Sequence, residues 1–500
     1  MVAAAVATGL ALPAQVVVPG TASAAGLAPG GRITVDDQLL VCPDLRSGPA
    51  DSTISLTVPT GSIQGAVMAD TRTLADAGTL ADAWELGTAA ELGTAGSLGA
   101  GPGLTVLATA QDPAPVIVRA RGAGAAGVVA GRRTLAFDGS QRGLSVLACP
   151  AAEREAWFVG SGSSIGRRGQ LELVNPTAAA VVVDVNLAGP DGPLRAPAGR
   201  GVTLAPGAHV VLKLDGLVPD IAVFAVHVAA RTGRVAAALR DEESFGITQP
   251  GVDWVPAAAA PARTVVIPGV VHLPEDQGQR RLYVFVPGPA DAIARLRFLG
   301  TDGPVKVEGL EAVRLRAGRV TTVDLEAVGA DRLVGIEIAA DVPLTAGLQV
   351  RRAATPAGPA DQAWTAAVLA SPAGTVLSSP LLPGTSSSGL LLSAPGAAAQ
   401  VEVTVLAAGE APEGDRAVRV HSVPAGGTLL VSTTDLLAGR DGAVTVRSLA
   451  GSAAYVAGIS VAGGRAAEPL LALSPLVARP SQVAVPAVTL DLWAGVHRDR

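Results

Sequence analysis

The stretch that decides the fold is LELVNPTAAAVVVDVNLAGPDG, residues 171–192. Between Val181 and Val185 every second residue is a valine suited to the interior, whereas Asp184 and Asn186 fall on the other face. A period of two is typical of a β-strand with one buried face. The Asn-Pro and Gly-Pro-Asp-Gly segments are turn signals. The stretch therefore predicts two short strands separated by a turn.

The same order of segments occurs three times along the chain, with copies that begin at Leu171, Leu282 and Leu390, about 110 residues apart. The matching turns are Pro206-Gly207, Ala317-Gly318 and Ala425-Gly426. Roughly six to eight short strands in each copy, with frequent turn signals, predict an all-β fold of tandem Ig-like antiparallel β-sandwich domains. A propeller is the competing closed architecture, but its blades of about 40–50 residues are too short for this period.

The repeats predict a division of the chain into five segments. These are a signal peptide or N-terminal anchor at 1–24, a divergent β domain at 32–149, and β-sandwich repeats at 150–262, 263–371 and 372–500. The first segment is apolar and ends in Ala22-Ser23-Ala24, a pattern suited to signal peptidase, although an Ala-rich leader without that role is the alternative. Leucines recur every six residues from Leu74 to Leu98, which we interpret as a low-complexity surface loop.

The composition excludes several classes of protein. Of the 500 residues, 49% are hydrophobic and 16% are charged, and the net charge is −6. This balance is unlike that of a disordered chain or of a basic nucleic-acid-binding protein. The 60 glycines and 37 prolines argue against long helices. We therefore expect a globular, turn-rich protein that does not bind nucleic acid.

The two cysteines occupy similar positions at the two ends of the divergent domain. Cys42 and Cys149 each follow an apolar run and precede a proline. In an exported protein such a pair most simply forms a disulfide, which closes a loop of about 106 residues and contributes about 4–5 kcal/mol in the chain-entropy model. Two buried free thiols are the alternative.

The sequence contains no convincing catalytic or metal-binding motif. Gly162 to Gly166 match the Gly-x-Ser-x-Gly elbow, but a second strand follows instead of the required helix. The histidines are scattered, and His227 alternates with apolar residues as a strand residue does. We therefore expect a protein that is not an enzyme and has no catalytic residues, no metal and no cofactor. A hydrolase hidden in the divergent domain is one alternative.

Three tryptophans are the candidate ligand platform. Trp157, Trp254 and Trp364 could stack on sugar rings, or they could fill the sandwiches and the seams between them. Asp253-Trp254 and Gln362-Ala363-Trp364 lie one period apart, which we interpret as marking the start of successive modules. Aromatic residues are only 3% of the chain, which weakens a sugar-binding role for the whole array.

The sequence around Trp157 resembles an uncharacterised family of exported actinobacterial proteins that is known as a domain of unknown function. Its repeats begin with Trp-aromatic-x-Gly, continue with a Leu-x-Leu-x-Asn-Pro strand end and contain a Pro-Gly turn. The matching residues here are Trp157, Phe158 and Gly160, then Leu171, Leu173, Asn175 and Pro176, then Pro206 and Gly207. The resemblance implies an extracytoplasmic array of Ig-like sandwiches and implies no catalytic residues.

These observations together predict a secreted or envelope-associated protein with a structural, adhesive or scaffolding role in the bacterial cell envelope. Its partner would be an envelope protein or a cell-wall glycan, and it would touch the membrane only through an uncleaved N-terminal segment. A glycan-binding accessory to envelope polysaccharide assembly is the main alternative. Tandem sandwiches suit such roles because they hold surface loops at fixed distances.

Overall fold

The computed structural model describes residues 32–45, 50–58, 68–73, 103–108, 115–121, 125–139, 141–245, 248–270, 278–329, 332–353, 355, 360–383, 387–408, 417–437, 439–465, 468–479 and 482–484. The predicted signal peptide and the leucine-rich stretch lie outside the described residues. The chain divides into two units. In the smaller unit, β1 (Arg32–Thr34) pairs antiparallel with β35 (Gln482–Ala484). The larger unit spans Val35–Ser481.

The described residues of the larger unit form four β-sandwiches. The first contains β2 (Asp37–Cys42), β3 (Asp51–Val58), β4 (Met68–Thr73), β5 (Gly103–Ala108), β6 (Val116–Arg121), β7 (Val129–Ala136) and β8 (Gly143–Ala148). The second contains β9 (Glu155–Gly160), β10 (Arg167–Val174), β11 (Val181–Gly189), β12 (Gly192–Leu194), β13 (Val202–Leu204), β14 (His209–Lys213), β15 (Phe224–Thr232), β16 (Ala236–Phe245) and β17 (Thr248–Val255).

The other two sandwiches follow in the same way. The third contains β18 (Ala262–Val270), β19 (Gln279–Phe285), β20 (Ala292–Gly300), β21 (Gly303–Val305), β22 (Ala312–Leu315), β23 (Val320–Asp324), β24 (Val334–Ala353) and β25 (Ala360–Ala366). The fourth contains β26 (Val376–Leu382), β27 (Ser387–Ala394), β28 (Ala399–Ala407), β29 (Ala417–Val423), β30 (Gly427–Ser432), β31 (Gly442–Ser448), β32 (Val456–Arg465), β33 (Glu468–Pro475) and β34 (Val477–Ala478).

Helix is scarce in the described part of the chain. Its elements include α1 (Leu214–Leu217), α2 (Thr434–Leu437) and the 3₁₀ turns Pro197–Gly199 and Glu326–Val328. Among the described residues, none of these helices is long and apolar enough to span a membrane. The scarcity agrees with the high glycine and proline content.

All four sandwiches share one topology. When the seven core strands of a sandwich are numbered in chain order, one sheet has the order 3-5-1 and the other has the order 4-2-6-7. In the second sandwich these sheets are β11-β15-β9 and β14-β10-β16-β17, and in the first they are β4-β6-β2 and β5-β3-β7-β8. The long strand β24 supplies both the fifth and the sixth strand of the third sandwich. The prediction of an all-β fold of antiparallel sandwiches is confirmed, and the divergent first domain has the same strand order as the repeats.

The cores lie between the two sheets of each sandwich, as the period of two predicts. On β11, Val181, Val183 and Val185 are at most 1% exposed and pack in the core of the second sandwich. The residues between them are only half-buried and form the outer face of the sheet. The third strands β20 and β28 repeat this alternation.

The four sandwiches close into a ring around a common centre. The seventh strand of each one is innermost: β17 contacts β8 and β25, and β33 contacts β25 and β8. The fourth sandwich therefore packs against the first, and Leu144 and Val146 of β8 belong to the apolar core of the fourth sandwich. The sequence predicted the tandem sandwiches but not their closure, because closure depends on contacts between residues far apart in the chain.

Candidate functional site

The centre of the ring is organised by one buried carboxylate, Asp361 on β25. Its Oδ2 accepts hydrogen bonds from the amide of Leu144, at 3.1 Å, and from the amide of Leu471, at 2.9 Å. These amides belong to the first and the fourth sandwich, so a single side chain joins three sandwiches. Gly251 of the second sandwich lies so close that a Cβ atom there would be 2.3 Å from Asp361 Oδ1. The φ of Gly251 is +125°, which also favours glycine.

The carboxylates near this centre are fully buried. Asp241, Asp253 and Asp361 are each 0% exposed. Burial raises the pKa of Asp361 to about 7, although the amides of Leu471 and Leu144 act in the opposite direction. Burial likewise raises the pKa of Asp253 well above its ordinary value. A substrate cannot reach these groups in this structure, so their arrangement suits a structural role.

A charged network fastens the second sandwich to the third. The Arg167 guanidinium donates two hydrogen bonds to Asp241, both at 3.0 Å, and its charge lies 5.4 Å from the centre of the Trp364 ring. Trp364 Nε1 donates to Asp241 Oδ2 at 3.1 Å, and its amide donates to Asp253 Oδ2 at 2.7 Å. Trp364 is 0% exposed, which leaves no ring face for a sugar. Its role is therefore that of the seam-filling residue weighed in the sequence.

A second group of buried charges lies where the first sandwich meets the second. Arg132 and Asp44 form a buried ion pair in the first sandwich. Facing them is Glu172, which is 1% exposed and receives no side-chain hydrogen bond from any described residue. Burial raises the pKa of Glu172 to about 7, while the charge of Arg132 lowers it. The nearby cavity, lined in part by Arg240 and Trp254, measures about 20 Å³, which is room for about one water molecule.

The other two candidate tryptophans also lie in seams. Trp254 is 4% exposed and packs with Leu147 of the first sandwich, so it offers no open face. Trp157 is half-buried: its ring stacks on His227 with centroids 3.8 Å apart and lies 6.3 Å from the ring of Phe285 in the third sandwich. Trp254 and Trp364 are therefore closed to a ligand, and one face of the half-buried Trp157 is covered by His227. Trp254 and Trp364 lie on the seventh strands, at the end of a sandwich and not at its start.

The structure contains the predicted disulfide between Cys42 and Cys149, with a Cα–Cα distance of 4.5 Å. Both residues are fully buried in the core of the first sandwich. Cys42 ends β2 and Cys149 directly follows β8, so the bond ties the first strand of this sandwich to its last. The bond therefore fixes the carboxyl end of β8, opposite to the end at which Leu144 meets Asp361.

An open groove of about 700 Å³ lies on the outer face of the third sandwich. Its walls include Ile293 and Arg295 of β20, Arg314 of β22, and Asp341 of β24. Ile293 is 59% exposed, and the other three residues are also exposed. The groove combines charged and apolar groups that solvent can reach, in contrast to the buried seams.

Sequence reasoning missed the charged residues of the seams and of the groove. Arg167, Asp241 and Asp361 belong to no motif, and the Arg167–Asp241 and Leu144–Asp361 contacts span 74 and 217 residues. Alignment of the three repeats could have indicated Arg295 of the groove, because the other two repeats have an acidic residue at that position. Within the described ranges, no group of three or more His, Cys, Asp or Glu side chains lies close enough to hold a metal ion.

Comparisons with known proteins identify a family but no activity. Residues 105–434 match a family model described as a family of unknown function, DUF5719. No curated protein matches the chain. A solved Thermotoga maritima protein, 1070, is 19% identical over 21% of this chain and 93% of its own, with a TM-score of 0.18. A Streptomyces avermitilis alpha-L-rhamnosidase complexed with L-rhamnose is 10% identical over 88% of this chain and 57% of its own, with a TM-score of 0.11. Neither likeness supports a functional conclusion.

Proposed function

Because this chain belongs to the DUF5719 family, whose function is unknown, we infer its function from its own side chains and propose that it is a non-enzymatic scaffold of the bacterial cell envelope. The single observation that carries the proposal is the use of Asp361. This carboxylate is buried and accepts hydrogen bonds from the amides of Leu144 and Leu471. A group held in this way stabilises an assembly of sandwiches and does not act on a substrate.

The neighbouring charged groups support the same conclusion. Arg167 and Asp241 pair across the core side of the second sandwich and hold Trp364 of the third. Removal of either partner would leave a buried charge unpaired and is strongly destabilising, and the hydrogen bonds from Trp364 to Asp241 and Asp253 fix the relative position of the two sandwiches. A ring fixed at its seams presents its outer faces and loops at constant distances, which is the property a scaffold requires.

An extracytoplasmic location is supported by the disulfide. Cys42 and Cys149 are bonded, and such bonds persist in oxidising compartments. We therefore place the proposed scaffold outside the cytoplasm, secreted or attached to the envelope. The second candidate function, a glycan-binding accessory to envelope polysaccharide assembly, is favoured by one specific observation. That observation is the open groove beside Arg295 and Arg314.

The test is retention of the purified full chain on isolated cell envelopes. We expect saturable retention, with the envelope polymers unchanged in length after incubation. Two treated samples identify the partner. Retention that is lost after protease digestion of the envelopes indicates a protein partner, and retention that is lost after removal of polysaccharide indicates a glycan partner. Release of shortened polymers would refute the scaffold proposal and indicate that the protein is a hydrolase. Absence of retention on every envelope sample would refute a role in the envelope.

A further inference from the structure

The outer face of the third sandwich differs from those of the second and fourth at one equivalent position. The third strands β11, β20 and β28 each have nine residues and the same buried alternation. Their fourth residues are Asp184, Arg295 and Glu402. Only in the third sandwich is this outward-facing residue basic, so its surface chemistry is inverted relative to its two neighbours.

In the second and fourth sandwiches the acid at this position is neutralised. Asp184 accepts hydrogen bonds from Arg231 at 2.6 and 2.7 Å, and Glu402 accepts one from Arg447 at 2.8 Å. Each is a cross-strand pair of opposite charges on the open face of a sheet. These two faces therefore need no external counter-ion.

The third sandwich instead places two unpaired arginines on one face. Arg295 lies opposite Ala312, and Arg314 lies opposite Ile293 two residues along the same pair of strands. The two arginines are therefore diagonal neighbours, roughly 7–8 Å apart at their backbones and within reach of one another's side chains. Among the described residues, neither guanidinium has an ion pair or a hydrogen bond. Two like charges in this position repel each other unless an anion lies between them.

The acidic residues of the groove do not neutralise the two arginines. Asp291 Oδ1 accepts a hydrogen bond from the amide of Ala317 and so supports the turn before β23. Asp341 is exposed on the opposite wall and forms no ion pair with either arginine in the described structure. Its carboxylate oxygens remain able to accept hydrogen bonds from hydroxyl groups.

The geometry favours a phosphate ester over a carboxylate. One guanidinium fork already occupies both oxygens of a carboxylate, whereas a phosphate ester has further oxygens that can accept hydrogen bonds from a second fork. Two arginines that approach from neighbouring strands are therefore suited to one phosphate. The hydroxyl-accepting Asp341 and the exposed Ile293 suit the polyol or sugar to which the phosphate is attached. Ala339 and Ala340 have small side chains and leave the floor of the groove open.

We propose that this groove binds a phosphate-bearing polyol or glycan, with the phosphate between Arg295 and Arg314 and the hydroxyl groups directed to Asp341. The proposal rests on the proposed envelope function and names the chemistry by which the scaffold attaches. A groove of about 700 Å³ lies within the usual range of ligand sites, about 300–1,000 Å³.

The test measures binding of the full chain to a poly(glycerol phosphate) oligomer by calorimetry, with polygalacturonate and dextran as carboxylate-bearing and neutral comparators. The variants are Arg295→Gln and Arg314→Gln. The matched control is Arg447→Gln, which removes one exposed arginine from the fourth sandwich, where it is paired with Glu402. All three positions are exposed, and circular dichroism with thermal unfolding verifies that each variant is folded.

We expect wild type to bind the phosphate oligomer, and each groove variant to bind it at least about tenfold more weakly, because each loses charge-assisted hydrogen bonds. The control should stay within about twofold of wild type. Equal binding by the groove variants and the control, no binding of the oligomer, or tighter binding of polygalacturonate would each overturn the proposal. Envelope retention that persists in both groove variants would refute the groove as the binding site and would leave the scaffold proposal standing. Absence of retention of wild type would refute the scaffold proposal.

Discussion

The central carboxylate provides the sharpest test of the ring. Asp361→Ala removes the acceptor of the Leu144 and Leu471 amides, which lie in two other sandwiches at 3.1 and 2.9 Å. Both amides are buried at the ring centre, and a buried donor left without a partner costs about 1–3 kcal/mol. We therefore expect the loss of these two hydrogen bonds alone to lower the free energy of unfolding of the ring by about 2–6 kcal/mol, and the Gln362 amide, which donates to Oδ1 at 3.0 Å, adds to that cost.

Asp361→Asn separates the loss of acceptors from the loss of charge. An asparagine can place its carbonyl oxygen at the position of Oδ2, so both cross-sandwich hydrogen bonds can persist. Its amide group then replaces Oδ1, which accepts the amide hydrogen of Gln362 at 3.0 Å. One hydrogen bond within the strand is lost, and the expected cost is about 1–3 kcal/mol. Asp191→Asn, at an exposed turn, is the control and should change stability by less than about 0.5 kcal/mol.

Urea unfolding followed by tryptophan fluorescence measures these differences. Trp364 and Trp254 are buried in two seams, so their emission changes when sandwiches separate. Weakening of the centre should move the first transition to lower urea and should resolve separate transitions for individual sandwiches. The reasoning fails if Asp361→Ala unfolds within about 1 kcal/mol of wild type, because two unpaired amides would then cost nothing measurable.

Two further predictions concern the first sandwich and its seam. Because burial raises the pKa of Glu172 from its ordinary 4.5 to about 7, the folded protein retains a proton that the unfolded chain releases, and stability falls as the pH rises from 4.5 to 7. Glu172→Gln should therefore match wild type near pH 4 and exceed it near pH 8 in urea midpoint; the same difference at both pH values would contradict this. Cys42→Ser with Cys149→Ser should cost up to about 4–5 kcal/mol of stability, and a thermal midpoint equal to that of the oxidised wild type would contradict a structural disulfide.

The sequence was sufficient for the fold of each sandwich because the relevant signals are local. The alternation at Val181, Val183 and Val185 corresponds to side chains that are buried in the structure. The turns at Pro206-Gly207 and Gly426 likewise lie between strands, where Gly207 and Gly426 adopt positive φ angles of 70° and 62°. Period and turn chemistry depend on neighbours in the chain, so they can be recognised without knowledge of the tertiary structure.

The ring and its polar seams could not be predicted in this way. Asp361 and Leu144 are 217 residues apart, and no pattern in either segment indicates the other. The sequence identified Trp364 as important but could not decide between a ligand platform and a seam residue. That decision depends on Asp241, which accepts its indole hydrogen bond across 123 residues. The common topology of the first sandwich was hidden for a similar reason, since its strands keep the order of the repeats without their motifs.

Three of the seams in the ring differ from one another in chemistry. The first and second meet beside the buried Glu172, and the second and third meet through the hydrogen bonds from Trp364 to Asp241 and Asp253. The third and fourth meet through Thr428, whose Oγ1 accepts the Gly335 amide at 2.9 Å, beside an apolar cluster. Four sandwiches of one topology could pair in the wrong order if their seams were alike, which is a known failure of repeat proteins. Trp364 of the third sandwich donates to Asp241 and Asp253 of the second, so its buried donors would lose their acceptors against a different neighbour, and unlike seams therefore disfavour those alternatives. The repeats can therefore keep the buried faces of their strands and diverge in the residues of the seams. This accounts for a repeat pattern that is clear within the strands and weak in the segments between the strands.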